Sequence, residues 1–315
     1  MRRNTLWIVI LVILQGCGGA LISNQQEREI GAGVDQQLKK EYRLVHSNDP
    51  VAKWAKEFVA PLQRASVRFR DPKEIGGYKV AVIADNKLVN AFAAPGGYTY
   101  LSTGLILQSK TCAEIAGVMG HELAHVTQRH GAKSIESSFA VEQIVSLFLS
   151  DGLAAGSAVL IWQFLSSTTF SRDDENEADT VGLQISYGAG YNPDGLADFF
   201  RVLLKAEKGA SAPEFLSSHP ATGKRIRSVE RQIRKRYRGN AKRKSTKCRT
   251  RMKLAEIKRR IKSGKLKLGP KTVQKKTTRT DAIRHWKTAM DRHKIKQKSK
   301  TRKSSSQKAK PKPKN

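Results

Sequence analysis

Acidic residues are scarce in this chain, which has 27 Asp and Glu against 59 Lys and Arg and a net charge of +32. The shortage is confined to one end. Residues 231–315 contain 35 basic and 3 acidic residues, so the first 230 residues hold 24 of each sign. The sequence therefore predicts an electrically ordinary globular body of one or two domains, followed by a separate basic tail.

Long apolar runs are also missing, since a bilayer-spanning helix needs about 20 apolar residues. The run Leu6–Leu14 has nine and follows Arg2 and Arg3, a pattern typical of a secretory signal. The apolar stretch 138–165 is broken by acidic residues and glycines. We expect two buried or lid-forming helices there rather than a membrane span.

Cysteine is rare, with three in the whole chain. The sequence Leu14-Gln15-Gly16-Cys17 resembles the lipobox of bacterial lipoproteins, in which the cysteine is lipidated and becomes the first residue of the mature protein. Because Gly18 rather than Asp follows it, we expect an anchor in the outer membrane, facing the periplasm. An ordinary signal peptide is the alternative. Cys112 is expected to be a small core residue, and a disulfide with Cys248 is permitted in an oxidising compartment without being indicated.

The body carries both helical and strand patterns. Residues 25–66 predict two amphipathic helices, the second starting at Asp49-Pro50. Alternation in GYKVAV predicts a strand, and NAFAAPGGYTYLS predicts a strand pair broken by Pro95-Gly96-Gly97. Mixed helices and strands in this order indicate an α+β fold.

The stretch GVMGHELAHVTQRHG places two histidines four residues apart, in an apolar run with no proline. On a helix His121 and His125 project from one face, so two imidazoles can bind one metal ion. Glu122 lies at the rim of that face, where it can take a proton from a metal-activated water, as in zinc peptidases. His130 points away and is not a candidate ligand.

A second candidate pair lies in FSRDDENEAD, where Glu175 and Asp179 share one helical face. A catalytic zinc site with two histidines needs a third protein ligand and an open position for water. Glu175 could supply that ligand, and Asp179 could orient a ligand histidine by a hydrogen bond. From the residues alone, an acidic solvated face is an equal alternative, because Asp173 is among several acidic neighbours.

Four stretches in this order, NAFAAPGGYTYLSTGLI, HELAHVTQRHG, FSRDDENEAD and SSHPATGKRI, resemble the M48 family of zinc metallopeptidases over roughly residues 25–232. The resemblance is to its lipoprotein-like envelope branch, related to the outer-membrane-assembly peptidases and to HtpX-type and CAAX-processing peptidases. It implies a mainly helical zincin-like α+β domain with a small β-sheet whose edge strand lines the active site. We divide the chain into a signal peptide (1–16), an N-terminal linker and helices (17–75), a peptidase core (76–232) and the tail (233–315).

The resemblance also implies roles for individual residues. It makes His121, His125 and Glu175 the ligands of one Zn²⁺, with Glu122 the catalytic base. His219, in the His-Pro motif, would stabilise the transition state or block the site in a resting form. The remaining positions act around the site: Asp179 and Arg225 support the ligands, and a substrate strand is formed by Asn90, Ala91, Phe92 and Ala93.

The function implied is a lipid-anchored zinc endopeptidase that hydrolyses misfolded or misassembled cell-envelope proteins. The alternative is a non-proteolytic, chaperone-like or anionic-polymer-binding lipoprotein with a latent zinc site. Several relatives carry tetratricopeptide repeats, but this chain shows no 34-residue periodicity and ends in the basic tail. We expect this tail to be largely disordered, with two short basic helices around Ile257 and Trp286, and to bind anionic lipid or lipopolysaccharide rather than nucleic acid.

Overall fold

The computed structural model describes residues 20–140, 144, 148, 155–207, 214–220, 223–237 and 244–270. The signal peptide, Cys17 and the helix expected around Trp286 lie outside the described residues. The described part is mainly helical with one small sheet, so the predicted α+β class is confirmed. No described helix combines the length and apolar character that crossing a membrane requires.

The helices are numbered here in chain order over the described residues. Their bounds are α1 Asn24–Glu41, α2 Pro50–Ser66, α3 Thr103–Gln108, α4 Cys112–Thr127, α5 His130–Ser138, α6 Ala155–Ser167, α7 Arg172–Gly188, α8 Asp194–Glu207, α9 Phe215–Ser218, α10 Gly223–Tyr237 and α11 Leu254–Lys262. Two short 3₁₀ turns cover Pro72–Ile75 and Pro95–Gly97. The predicted start of the second helix is confirmed, because Asp49 caps α2 and Pro50 occupies its first turn.

The sheet has three strands, β1 (Lys79–Ile83), β2 (Ala91–Ala94) and β3 (Tyr98–Ser102), in the order β1-β3-β2. β3 pairs in parallel with β1 and antiparallel with β2. The outer edge of β1 is covered, because Leu44 bridges to Ile83 and Val45 bridges in turn to Leu268. β2 forms the other edge, and no described strand pairs with its outer side.

The core is built around α4, every residue of which is buried. One hydrophobic cluster joins α4 to α2, α7, α8 and α10, and a second joins α1 to the sheet and to α6. Helices α1 and α2, from the segment assigned before residue 76, therefore belong to the same folded body as the peptidase core. A helix buried on all sides must satisfy its own backbone groups, so α4 is a rigid support for polar side chains.

Two glycines allow α4 and α7 to cross closely. A Cβ on Gly120 would lie 2.7 Å from the Gly182 carbonyl oxygen, and a Cβ on Gly182 would lie 2.8 Å from the His121 Cα. Any larger residue at either position would push the two helices apart. This crossing brings the polar residues of α7 against those of α4.

Residues 244–270, which we call the strap, fold against the body, whereas the sequence analysis expected a largely disordered tail. The strap contains the short basic helix expected around Ile257, here α11. Ile257 and Ile261 of α11 are buried in the core, and the disulfide Cys112–Cys248 joins the strap to the start of α4. The backbone N–H of Cys112 also donates to Thr246. Basic composition misleads here because lysine and arginine stems can lie on the surface while a few interleaved apolar residues anchor the segment.

Candidate metal centre

Helix α4 positions the two histidines of the HELAH stretch. It begins after Thr111, whose side chain accepts a hydrogen bond from the Glu114 backbone N–H. His121 and His125 are 0% and 3% exposed, and their Nε2 atoms lie 3.0 Å apart. Both rings therefore present one nitrogen to the same point inside the protein.

Helix α7 brings Glu175 to that point. The helix is capped by Ser171, whose side chain accepts from the Asp174 backbone N–H. Glu175 Oε1 lies 3.4 Å from His125 Nε2, and Glu175 Oε2 lies 3.6 Å from His121 Nε2. Glu175 is thus brought to the histidine pair as expected, whereas Glu177 is turned away from it.

His219 joins the same cluster. It follows α9, is 2% exposed, and its Nδ1 lies 2.8 Å from Glu175 Oε1 and 3.3 Å from His121 Nε2. One donor atom from each of His121, His125, Glu175 and His219 lies within 4.8 Å of the others. Three imidazole nitrogens and one carboxylate oxygen are a donor set that suits a divalent transition metal ion.

The protonation states favour cation binding. Burial lowers the pKa of His121 and holds that of His125 well below its ordinary value, so both imidazoles are neutral. Burial would raise the pKa of Glu175, but the interaction with His219 outweighs it and the pKa is lowered; the pKa of His219 is itself raised, because Glu122 and Glu175 outweigh the effect of its burial. Neutral imidazoles and an ionised carboxylate are the forms in which these residues bind metals.

Glu122 lies beside this cluster without belonging to it. Its side chain is buried, its Oε1 is 3.5 Å from His219 Nε2, and this oxygen has no hydrogen-bond partner among the described residues. Burial raises its pKa to about 7, although a hydrogen bond from the Ala93 backbone opposes the rise. A carboxyl group with a pKa near neutrality can accept and return a proton.

The structure places Asp179 and Arg225, to which the family resemblance gives supporting roles, in contact with the cluster. His121 Nδ1 lies 3.0 Å from Asp179 Oδ1, so the ring can donate there while its Nε2 faces the cluster. Arg225 donates to Asp179 through Nε at 2.7 Å and through Nη2 at 2.8 Å, and its Nη1 contacts Glu175. Burial would raise the pKa of Asp179, but Arg225 outweighs it and keeps the carboxylate ionised.

The edge strand β2 borders a cleft that opens onto Glu122 and His219. Asn90, Phe92 and Ala93 line this cleft. Ala91 is fully buried in the main hydrophobic cluster and is not among the residues that line the cleft. Helix α6, from the stretch expected to form a buried or lid-forming helix, contributes the opposite wall through Trp162 and Leu165.

The sequence analysis missed the contact of His130 with the ligand histidine His125. If α4 continued past residue 127, His130 would point away from His125, but the helix ends there. Arg129 then adopts a left-handed conformation with φ 61°, which turns the chain into α5. His130 Nδ1 consequently lies 2.9 Å from His125 Nδ1. A left-handed arginine carries no sequence signal, since glycine or asparagine is the usual residue there.

The fold and the site together define a metallopeptidase. They combine a buried donor set of three histidines and Glu175, an adjacent carboxyl group, and a strand edge with which no other described strand pairs. The sequence model of peptidase family M48 matches residues 52–233, more than half of the chain. The chain belongs to this peptidase family.

Curated relatives agree with this assignment. The chain is 30% identical over 229 residues to a putative beta-barrel assembly-enhancing protease of Vibrio cholerae, covering 69% of this chain and 46% of the relative. It is 28% identical over 220 residues to the beta-barrel assembly-enhancing protease of Escherichia coli, covering 66% and 44%. It is 30% identical over 214 residues to the mitochondrial metalloendopeptidase OMA1 of Arabidopsis thaliana, covering 63% and 43%. The chain thus spans less than half the length of these relatives.

Proposed function

We propose that the protein is a zinc-dependent endopeptidase that hydrolyses unfolded or misassembled proteins of the bacterial cell envelope. The observation that carries the proposal is the position of Glu122. Its Oε1 has no hydrogen-bond partner among the described residues and lies 3.5 Å from His219 Nε2, and its side chain lines the same cleft as β2. The names of the bacterial relatives, which refer to beta-barrel assembly, support the choice of envelope substrates.

In this proposal His121, His125 and Glu175 hold one zinc ion, which supplies a Lewis acid that polarises water and the substrate carbonyl. Glu122 Oε1 accepts the proton of the attacking water and then donates it to the departing amine nitrogen. The raised pKa of Glu122 suits both transfers at neutral pH. The surrounding burial excludes bulk water from the site.

Substrate binding is proposed along β2. An extended peptide can add to the outer edge of Ala91–Ala94, which places its backbone beside Glu122. Main-chain hydrogen bonds read the backbone rather than a particular sequence. This mode therefore suits unfolded segments from many proteins.

His219 is proposed to occupy the fourth coordination position in a resting form. Its Nδ1 lies 2.8 Å from Glu175 Oε1, inside the cluster and not merely at its border. With His219 as a fourth protein ligand, the site would leave no place for water, and His219 would have to move for catalysis. Once displaced, the imidazole lies on the cleft side, where it can donate a hydrogen bond to the developing oxyanion.

The proposed location is the periplasmic face of the outer membrane, with Cys17 as the lipid anchor. Residues beyond the strap would add an electrostatic contact with anionic lipid or lipopolysaccharide. Each Lys or Arg near such a surface contributes on the order of 1 kcal/mol at modest salt. Sequencing the mature N-terminus tests the anchor, and a first residue other than Cys17 would contradict it.

The catalytic proposal is tested with zinc-loaded protein, casein as an unfolded substrate and the variant Glu122→Gln. The variant should keep one zinc per chain and lose about 10²–10⁴-fold in kcat/KM, because it removes the base and no ligand. His219→Ala should retain zinc, since His121, His125 and Glu175 remain as ligands. Faster cleavage of casein would mean that the blocking role outweighs the oxyanion contact, and slower cleavage would mean the reverse. Cleavage by Glu122→Gln at the wild-type rate would contradict the mechanism.

A further inference from the structure

We infer that His130 positions the His125 imidazole for metal binding, by accepting its Nδ1–H and donating its own Nε2–H to Glu177. This inference rests on the proposed function, since it concerns the ligand set of the same site. His130 is fully buried, and the two nitrogens concerned, Nδ1 of each ring, lie 2.9 Å apart. On the other side of the His130 ring, Nε2 lies 3.1 Å from Glu177 Oε2.

The proton positions on the His125 and His130 rings follow from one requirement. A metal-binding nitrogen uses its lone pair, and His125 faces the cluster with Nε2. The proton of its neutral ring therefore resides on Nδ1, which makes Nδ1 of His130 the acceptor. His130 then carries its own proton on Nε2 and donates it to the carboxylate of Glu177. Every ring nitrogen of His125 and His130 then has a partner.

The two histidine ligands are thus held in parallel ways. His121 donates directly to the buried carboxylate of Asp179, at 3.0 Å. His125 is linked to a carboxylate indirectly, because the His130 ring lies between His125 and Glu177. The Glu177 side chain is at the surface and is 47% exposed. Asp174 adds a longer contact, 3.5 Å from His130 Nε2. A ligand whose second ring nitrogen is fixed by a hydrogen bond keeps its orientation and is a stronger base toward the metal.

A buried network of ion pairs stabilises the turn at Arg129, which places His130 beside His125. Glu27 is 1% exposed and binds both Arg70, at 2.8 Å from each of its oxygens, and Arg129 Nε, at 2.9 Å. Arg129 also donates to the Ile22 carbonyl oxygen, and Arg70 donates to the Val126 carbonyl oxygen at 3.2 Å. These contacts fix the left-handed Arg129 from both sides of the turn. They explain why a non-glycine residue is stable in that conformation.

The test is the dissociation constant of zinc, measured by competition with a chromophoric chelator. His130→Leu fills the space but accepts no hydrogen bond, and should weaken zinc binding by about 10–100-fold. His130→Gln offers an amide oxygen to His125 and should bind zinc more tightly than His130→Leu. Glu177→Gln, at an exposed position that folding tolerates, should weaken binding in the same direction and by less.

Two exposed residues provide matched controls, and cobalt(II) provides a second readout. Asp173→Asn, on the same helix as Glu177, and His46→Gln, in a surface loop, should bind zinc like the wild type. The visible absorption bands of bound cobalt(II) should shift in His130→Leu and stay unchanged in both controls, because they report the geometry of the ligand field.

The possible results separate the two claims. A wild-type chain that binds no zinc would overturn the proposed function and this inference together. Zinc binding by the wild type with an equal dissociation constant for His130→Leu would overturn the inference alone. Equal weakening in His130→Leu and His130→Gln would also overturn it, since a packing role would not distinguish an acceptor from an alkyl group.

Discussion

The substitution Ile257→Ala tests whether the strap is part of the folded domain. Ile257 lies on α11 and is fully buried in the main hydrophobic cluster. Removing the side chain of a buried isoleucine costs about 2–5 kcal/mol, from lost transfer free energy and the cavity left behind. In a domain of this size 1 kcal/mol lowers the melting temperature by about 2–4 °C, so the expected decrease is roughly 4–20 °C.

The assay is thermal unfolding followed by circular dichroism, with wild type and variant both saturated with zinc. Arg259→Ala provides the control, because Arg259 is exposed on the same short helix and its loss should change the free energy of unfolding by no more than about 0.5 kcal/mol. A decrease of less than about 1 °C for Ile257→Ala would mean that the strap does not pack on the core in solution.

Three further predictions concern the disulfide, the pH dependence and the tail. Reduction or Cys248→Ser should lower the melting temperature, because the disulfide closes a loop with a sequence separation of 136 and the chain-entropy estimate is about 4–5 kcal/mol; an unchanged melting temperature would contradict this. Activity requires Glu122 as a carboxylate, and burial raises its pKa to about 7. The value of kcat/KM should therefore fall as the pH falls below about 7, well above the ordinary glutamate pKa of about 4.3. An acidic limb at or below about 4.3 would contradict the assignment of Glu122 as a buried base. A lipid-free chain ending at residue 270 should lose salt-sensitive binding to anionic vesicles and keep casein cleavage, whereas equal binding with and without residues 271–315 would refute the electrostatic contact.

Much of the site could be predicted because local spacing and helical geometry decide it. His121 and His125 are one helical turn apart, and the Thr111 cap fixes where that helix begins. The choice of Glu175 over Glu177 came from the family motif, since periodicity alone leaves the helix face open. The structure supplies the physical reason, namely the Gly120–Gly182 crossing that sets the rotation of α7 against α4.

Two features could not be predicted, because they depend on contacts between distant segments. The strap is anchored by Cys112–Cys248 and by Asp49, which accepts hydrogen bonds from Arg260 and from the Lys267 backbone N–H. None of these pairings leaves a periodic signal in a basic sequence. The contact of His130 with His125 depends on the left-handed Arg129, which in turn depends on Glu27, 102 residues away. A helical extrapolation from His125 therefore gave the wrong direction for His130.

The measurement that tests the central claim most directly is the zinc content of Glu175→Ala and Glu177→Ala, determined by mass spectrometry after equilibration with excess zinc. The two residues lie on one helix, and only Glu175 reaches the histidine pair, at 3.4 Å from His125 Nε2. We predict one zinc per wild-type chain, loss of bound zinc in Glu175→Ala and one zinc per chain in Glu177→Ala. Full zinc content in Glu175→Ala together with its loss in Glu177→Ala would contradict the account.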